Sequence, residues 1–195
     1  MAFPLDRAFA IVFRPRATWA ALAARPTPVP QLLLAYALPL AAIGAVATFV
    51  ALRIVGIPFP HGVQRTSVGT ALVEAGLSLA IALAGVPIMA AIVTGLAPLF
   101  EARADFESAL RVTVYSLTPT WLAGIFLAYP RLGSIQLVAS LYGIWELCLG
   151  LTCLQGAPPR RAPMYAVVAA VASLLAGFGL GILFGLLSAS ARAYG

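Results

Sequence analysis

The sequence contains no lysine and no asparagine, a single histidine, two cysteines and few charged residues of either sign. Charged side chains make up 9% of the chain, against about 25% in a typical soluble domain. Because only His61, Cys148 and Cys153 could supply soft ligands, the residues of a zinc site are missing. No P-loop or dinucleotide-binding glycine motif is present. The sequence therefore predicts no metal, no cofactor and no catalytic residues.

What the chain has instead is apolar sequence. Hydrophobic residues make up 62% of its 195 residues, and the mean hydropathy is +1.00. The twelve basic residues are all arginine and, with six acidic residues, give a net charge of +6, but they are scattered over loops. Nucleic acid is therefore not an expected partner, whereas anionic membrane lipid is. The lack of lysine and asparagine, whose codons are rich in A, favours a GC-rich bacterium and hence its cytoplasmic membrane.

The apolar residues fall into five runs, each at least as long as the roughly 20 residues that cross a hydrocarbon core of about 30 Å. They occupy residues 31–52, 68–99, 105–129, 135–154 and 164–187. The third and fourth runs, joined by a turn at residues 130–134, predict a membrane hairpin. The expected domain at residues 31–195 is therefore a compact bundle of five transmembrane helices in an all-α membrane protein.

Residues 1–30 form the other expected unit, an amphipathic amino-terminal segment. Two short helical patterns are separated by Pro15, which interrupts the periodicity. The first places Leu5, Phe9 and Val12 on one side, and the second presents Trp19 together with a leucine. We expect short interfacial helices with their apolar faces at the acyl boundary and their arginines towards head groups.

The central hairpin carries the order DFESAL, VYSLTPTWL, PRLG and LYGIW. In this order the chain resembles the Yip domain family, over roughly residues 10–190. Eukaryotic members of that family are multi-spanning proteins that bind Rab-type GTPases, and no catalytic residues come with the family. The resemblance implies a multi-pass, non-enzymatic protein that organises protein partners or lipids at the membrane.

Ionisable and phenolic side chains in or beside the spans form a candidate intramembrane site. Tyr115 follows Arg111 by four residues and Tyr142 precedes Glu146 by four, so each tyrosine shares a helix face with its charged neighbour. We expect an ion pair between Glu146 and Arg111, with both tyrosine hydroxyls as further partners. An alternative function uses Glu74, Arg111 and Glu146 in an oligomeric channel or carrier for an ion or small solute.

A second cluster comprises Glu101, Asp105 and Glu107, in the connection between the second and third runs. Three carboxylates this close could bind a divalent ion. The favoured interpretation is a capped, solvated loop, since Asp is a good N-cap residue and acids stabilise a helix N-terminus.

The fifth run carries Gly177, Gly181 and Gly185 at four-residue spacing. Such stripes of small residues allow close helix packing, either within one chain or between the chains of a homo-oligomer.

Arginine positions predict the orientation. With five spans and a cytoplasmic N-terminus, eight of the twelve arginines fall on the inner side. This distribution favours a cytoplasmic N-terminus, an external C-terminus and a protein partner, if there is one, at the cytoplasmic face.

Overall fold

A computed structural model describes residues 4–59 and 62–193, and the side chains of residues 5–57 and 62–179. This part of the chain is almost wholly helical, as expected. In chain order the helices are α1 (Pro4–Phe13), α2 (Pro15–Ala24), α3 (Val29–Leu32), α4 (Leu38–Phe49), α5 (Val68–Leu96), α6 (Phe106–Ser116), α7 (Thr118–Ala123), α8 (Gly133–Gln155) and α9 (Ala162–Ala193). A short antiparallel ribbon, β1 (Ile57–Phe59) with β2 (Gly62–Gln64), joins the first long apolar helix to the second.

Four stretches of the described chain are long and apolar enough to cross a membrane. They are Val29–Val55, Val68–Phe100, Pro130–Gln155 and Ala162–Gly179. A multi-pass membrane protein, as predicted, follows from these four helices.

The third apolar run of the sequence is helical but broken. It consists of α6, α7 and a 3₁₀ turn at Gly124–Ala128. Pro119 causes the break after α6, because proline has no N–H to donate and its ring crowds the carbonyl four residues earlier.

The stretch Val29–Val55 contains Pro39, which the helix accommodates by a change of pitch. A π-helical turn at Leu33–Ala37 comes just before Pro39, which is the second residue of α4. A π turn widens the helix locally and so relieves the clash that a proline ring makes with the preceding turn.

The segment from α6 to the 3₁₀ turn runs antiparallel along α8. The backbone N–H of Arg103 donates to the carbonyl of Gln155 at 2.9 Å, and Thr120 Oγ1 donates to Ser140 Oγ at 3.4 Å. Between these points a Cβ atom added to Gly143 would lie 2.9 Å from the Ser116 carbonyl oxygen. The two backbones are therefore in direct contact, as the predicted hairpin requires.

The amino-terminal helices α1 and α2 form a second hairpin, and they pack on the bundle. Helix α2 lies against α8, and α1 lies against α7. The side chains buried in this contact are Ala8, Ile11, Trp19 and Leu22. The expectation that Trp19 faces the acyl boundary is wrong, because its face of the hairpin contacts protein. Helical periodicity finds an apolar face but does not distinguish lipid from protein as its neighbour.

The glycine stripe of α9 is only partly within the described side chains. Gly177 is exposed, and a Cβ atom added there would meet nothing within 4 Å. Gly177 thus makes no close helix contact within the described chain. Gly181 and Gly185 lie outside the residues whose side chains are described, so their close packing, within one chain or between chains, stays a prediction.

The close approach of α6 and α8 predicts that Gly143→Ala destabilises the protein. The new methyl group would meet a backbone carbonyl, which cannot move without separating the helices, at a cost of about 1–3 kcal/mol. Alanine is otherwise the better helix former by about 1 kcal/mol. Gly76→Ala in α5, where an added Cβ meets nothing, is the matched control and should not destabilise. Thermal unfolding in detergent measures both; equal stability of the two variants would contradict the contact.

Candidate functional site

The candidate site is a buried carboxylate beneath the amino-terminal hairpin. The indole Nε1 of Trp19 donates to Oε2 of Glu146 at 2.7 Å. Glu146 is 0% exposed, and Trp19 is fully buried as well. The indole fits because Gly150 lies one turn further along α8: a Cβ atom there would come within 2.6 Å of the indole ring. The contact joins residues 127 positions apart in the sequence.

The predicted ion pair between Glu146 and Arg111 is wrong. Arg111 forms its salt bridge with Glu107, one turn earlier on α6. Its Nε also donates to the backbone carbonyl of Thr27 at 2.9 Å. Arg111 lies near the start of α6. There its guanidinium group is already bonded to Glu107, four residues earlier, and to the Thr27 carbonyl. Trp19 supplies the partner of Glu146 instead.

Both predicted tyrosines belong to the site, but they bind the hairpin. Tyr142 donates from its hydroxyl to the Val12 carbonyl at 2.7 Å. The Tyr115 hydroxyl accepts from Arg7 Nη1 at 3.2 Å and lies 3.0 Å from Thr27 Oγ1. Each tyrosine therefore ties the bundle to the polypeptide that precedes the first long helix.

An aromatic cluster connects these bonds. The Tyr115 ring makes an edge contact with Trp19 at a centroid distance of 6.0 Å, and another with Tyr36 at 5.1 Å. The Tyr36 hydroxyl lies 2.9 Å from Thr118 Oγ1. Offset and edge-to-face aromatic pairs add about 0.5–1.5 kcal/mol beyond the area they bury. The cluster therefore holds Trp19 in place over the carboxylate.

Glu74, the remaining member of the predicted intramembrane site, is not part of it. It lies on α5 and is exposed. The salt bridges and hydrogen bonds found among the described side chains include none made by Glu74. The three charges that the sequence suggested for a conduit are therefore not brought together.

The acidic cluster is a capped and paired loop, as favoured from the sequence. Glu101 forms salt bridges with Arg161 at 2.9 Å and Arg160 at 3.7 Å. Asp105 caps α6, and its carboxylate accepts from the backbone N–H and hydroxyl of Ser108. The Ser108 hydroxyl, followed by the backbone bonds, lowers the pKa of Asp105. In the described ranges, no three His, Cys, Asp or Glu residues are placed to hold a metal ion.

Sequence reasoning did not assign Trp19, Arg7 and Thr27 to this site. The signal for Trp19 was an aromatic residue on a short amphipathic helix, which is equally typical of a membrane interface. Nothing in the local pattern indicated its partner on a helix more than a hundred residues away.

A profile of the Yip1 domain matches residues 9–181, which is most of the chain and includes both Trp19 and Glu146. The chain belongs to the Yip1 domain family. This confirms the resemblance seen in the central hairpin. No curated protein and no solved structure gives a significant match. The contact between the α1–α2 hairpin and α8 therefore rests on the structure of this chain and not on that of a relative.

The contact predicts that Trp19→Phe destabilises this Yip1 domain protein. Phenylalanine keeps an aromatic ring but removes the only N–H donor to Glu146 seen among the described residues. A buried acceptor left without its partner costs about 1–3 kcal/mol. Thermal unfolding in detergent measures the loss, and limited proteolysis within residues 1–27 reports release of the hairpin.

Trp145→Phe is the matched control, because that indole is 42% exposed and adjoins Glu146 in sequence. It should change neither the unfolding temperature nor the proteolysis pattern. If Trp19→Phe behaves in the same way as this control, the hydrogen bond does not hold the hairpin.

Proposed function

We propose that this Yip1 domain protein is a non-enzymatic protein of the cytoplasmic membrane that organises lipids, or a protein partner, through its α1–α2 hairpin. The observation that carries the proposal is that the hairpin has two different faces. One face is buried on the bundle, whereas Leu5, Phe9 and Phe13 project from the other. Catalysis is not proposed, because most of the polar groups beneath the hairpin bond to one another or to the backbone.

The exposed face has the chemistry of a membrane interface. The rings of Phe9 and Phe13 stack at a centroid distance of 6.4 Å, and Arg14 and Arg16 are exposed where α1 meets α2. Apolar side chains bordered by arginines suit the boundary between acyl chains and anionic head groups. We therefore take an anionic lipid surface as the first partner of the hairpin.

Helix lengths support this placement. The stretch Val68–Phe100 is 33 residues long, or about 50 Å of helix at about 1.5 Å per residue, whereas the hydrocarbon core is about 30 Å thick. The bundle therefore projects from the bilayer. The hairpin packs on α8 and α7, and the carboxyl end of α8 bonds to Arg103.

We further propose that the chain crosses the membrane five times, the third crossing being the broken segment 106–128. This segment is about 35 Å long with its 3₁₀ turn included, similar to the antiparallel α8. Its polar Thr113, Ser116 and Thr118 are buried in protein, which is the condition for irregular backbone at membrane depth. Five crossings with the arginine-rich loops inside give a cytoplasmic N-terminus and an external C-terminus.

Single cysteines test the position of the hairpin. In a background with Cys148→Ser and Cys153→Ser, Phe13→Cys is expected to be shielded by lipid from a membrane-impermeant maleimide. Arg16→Cys, a few residues away, is expected to react in inside-out vesicles and not in right-side-out vesicles. Mass spectrometry of the labelled protein gives the extent of reaction.

Detergent should then expose Phe13→Cys to the same reagent. If Phe13→Cys reacts in vesicles as fast as Arg16→Cys, its face of the hairpin does not contact lipid. If Arg16→Cys reacts only in right-side-out vesicles, the proposed orientation is reversed.

A second candidate function, a carrier or channel for an ion or small solute, is favoured by one observation. Oε1 of Glu146 is buried and has no hydrogen-bond partner among the described residues. An unsatisfied carboxylate oxygen within an apolar helix is typical of a transported-ion site. Flux into liposomes that is lost on Glu146→Gln but kept on Glu74→Gln would support this function, whereas no flux in the unaltered protein would exclude it.

A further inference from the structure

Two buried oxygen atoms in the contact between α6 and α8 lack partners. They are Oε1 of Glu146 and Oγ1 of Thr113, both in residues that are 0% exposed. The register that sets Gly143 against Ser116 also sets Glu146 opposite Thr113, three residues further along each antiparallel helix. Buried polar atoms are almost always hydrogen-bonded, but in the structure neither atom bonds to the other or to a third described group.

Among the described residues, no cation forms a salt bridge with the Glu146 carboxyl group. Arg7 of the hairpin directs Nη1 to Thr27 and Tyr115, and Arg111 pairs with Glu107 on its own helix.

The other titratable groups around the carboxyl are phenols. Tyr36 precedes α4, Tyr115 comes from α6 and Tyr142 from α8. Phenols are neutral near pH 7 and contribute no positive charge. The one strong donor, Trp19 of α2, is also neutral.

We infer that Glu146 is a proton-binding site, occupied when the α1–α2 hairpin is docked. Oε2 accepts from the Trp19 indole, and Oε1 carries the proton. In this form no uncompensated charge is buried. The ionised form would leave a lone carboxylate in a contact with no cation, which protein interiors strongly disfavour.

This proton site deepens the second candidate function, because it names the proton as the ion that is bound. It rests on that function and on the docking of the α1–α2 hairpin. The same carboxyl group holds both the proton and Trp19.

Infrared spectroscopy tests the protonation state directly. The side chains of the other acidic residues, Asp6, Glu74, Glu101, Asp105 and Glu107, are all exposed, whereas Glu146 is buried. In a detergent without ester groups at pH 7, the protein should show one carbonyl band of a protonated carboxylic acid, shifted in D₂O. The band should be lost in Glu146→Gln and kept in Glu74→Gln.

Two results overturn the inference. One is a spectrum of the unaltered protein without the band, which does not depend on Glu146→Gln folding, and the other is a band that survives in Glu146→Gln. The infrared band and the flux are measured independently. A band without flux would contradict the carrier function alone, and flux without a band would contradict the protonation of Glu146 alone.

Discussion

The hydrogen bond between Trp19 and Glu146 is the interaction on which the arrangement of this Yip1 domain depends. A carboxyl group within an apolar helix needs a donor, and lipid offers none. The donor comes from a helix that precedes every long apolar helix, so satisfying one side chain fixes the whole α1–α2 hairpin on α8. The hairpin's outward face, with Phe9 and Phe13, is oriented by the same contact. The need of Glu146 for a hydrogen-bond donor thereby sets which face of the α1–α2 hairpin is exposed.

Small residues make this arrangement sterically feasible. Gly150 leaves the volume that the Trp19 ring occupies, and Gly143 brings α8 against the backbone of α6. A third contact sets Gly124 against Gly44, where an added Cβ would come within 3.0 Å of a backbone atom. Without a hydrophobic driving force between helices in lipid, such close approach and the interhelical hydrogen bonds it permits hold a bundle together.

Polar groups are concentrated at one end of the bundle. The hairpin contact, the capped start of α6 and the salt bridge between Glu101 and Arg161 all lie towards the carboxyl end of α8. The amino-terminal half of that helix instead exposes apolar side chains such as Ile135, Leu137 and Leu141. This asymmetry separates an apolar part, long enough to span a bilayer, from a polar end, to which the proposed function assigns the contact with lipid head groups or a partner.

The sequence by itself determined the class of protein, its family and the approximate limits of its long helices, because composition and apolar length are read locally. It also predicted the cap at Asp105, which depends on the next three residues alone. Only the tertiary structure decided that Glu146 bonds to Trp19 and not to Arg111. The reason is that an ionisable group is satisfied by whichever partner the fold brings nearest. Arg111 had a partner one turn away, whereas the partner of Glu146 came from a helix 127 residues earlier.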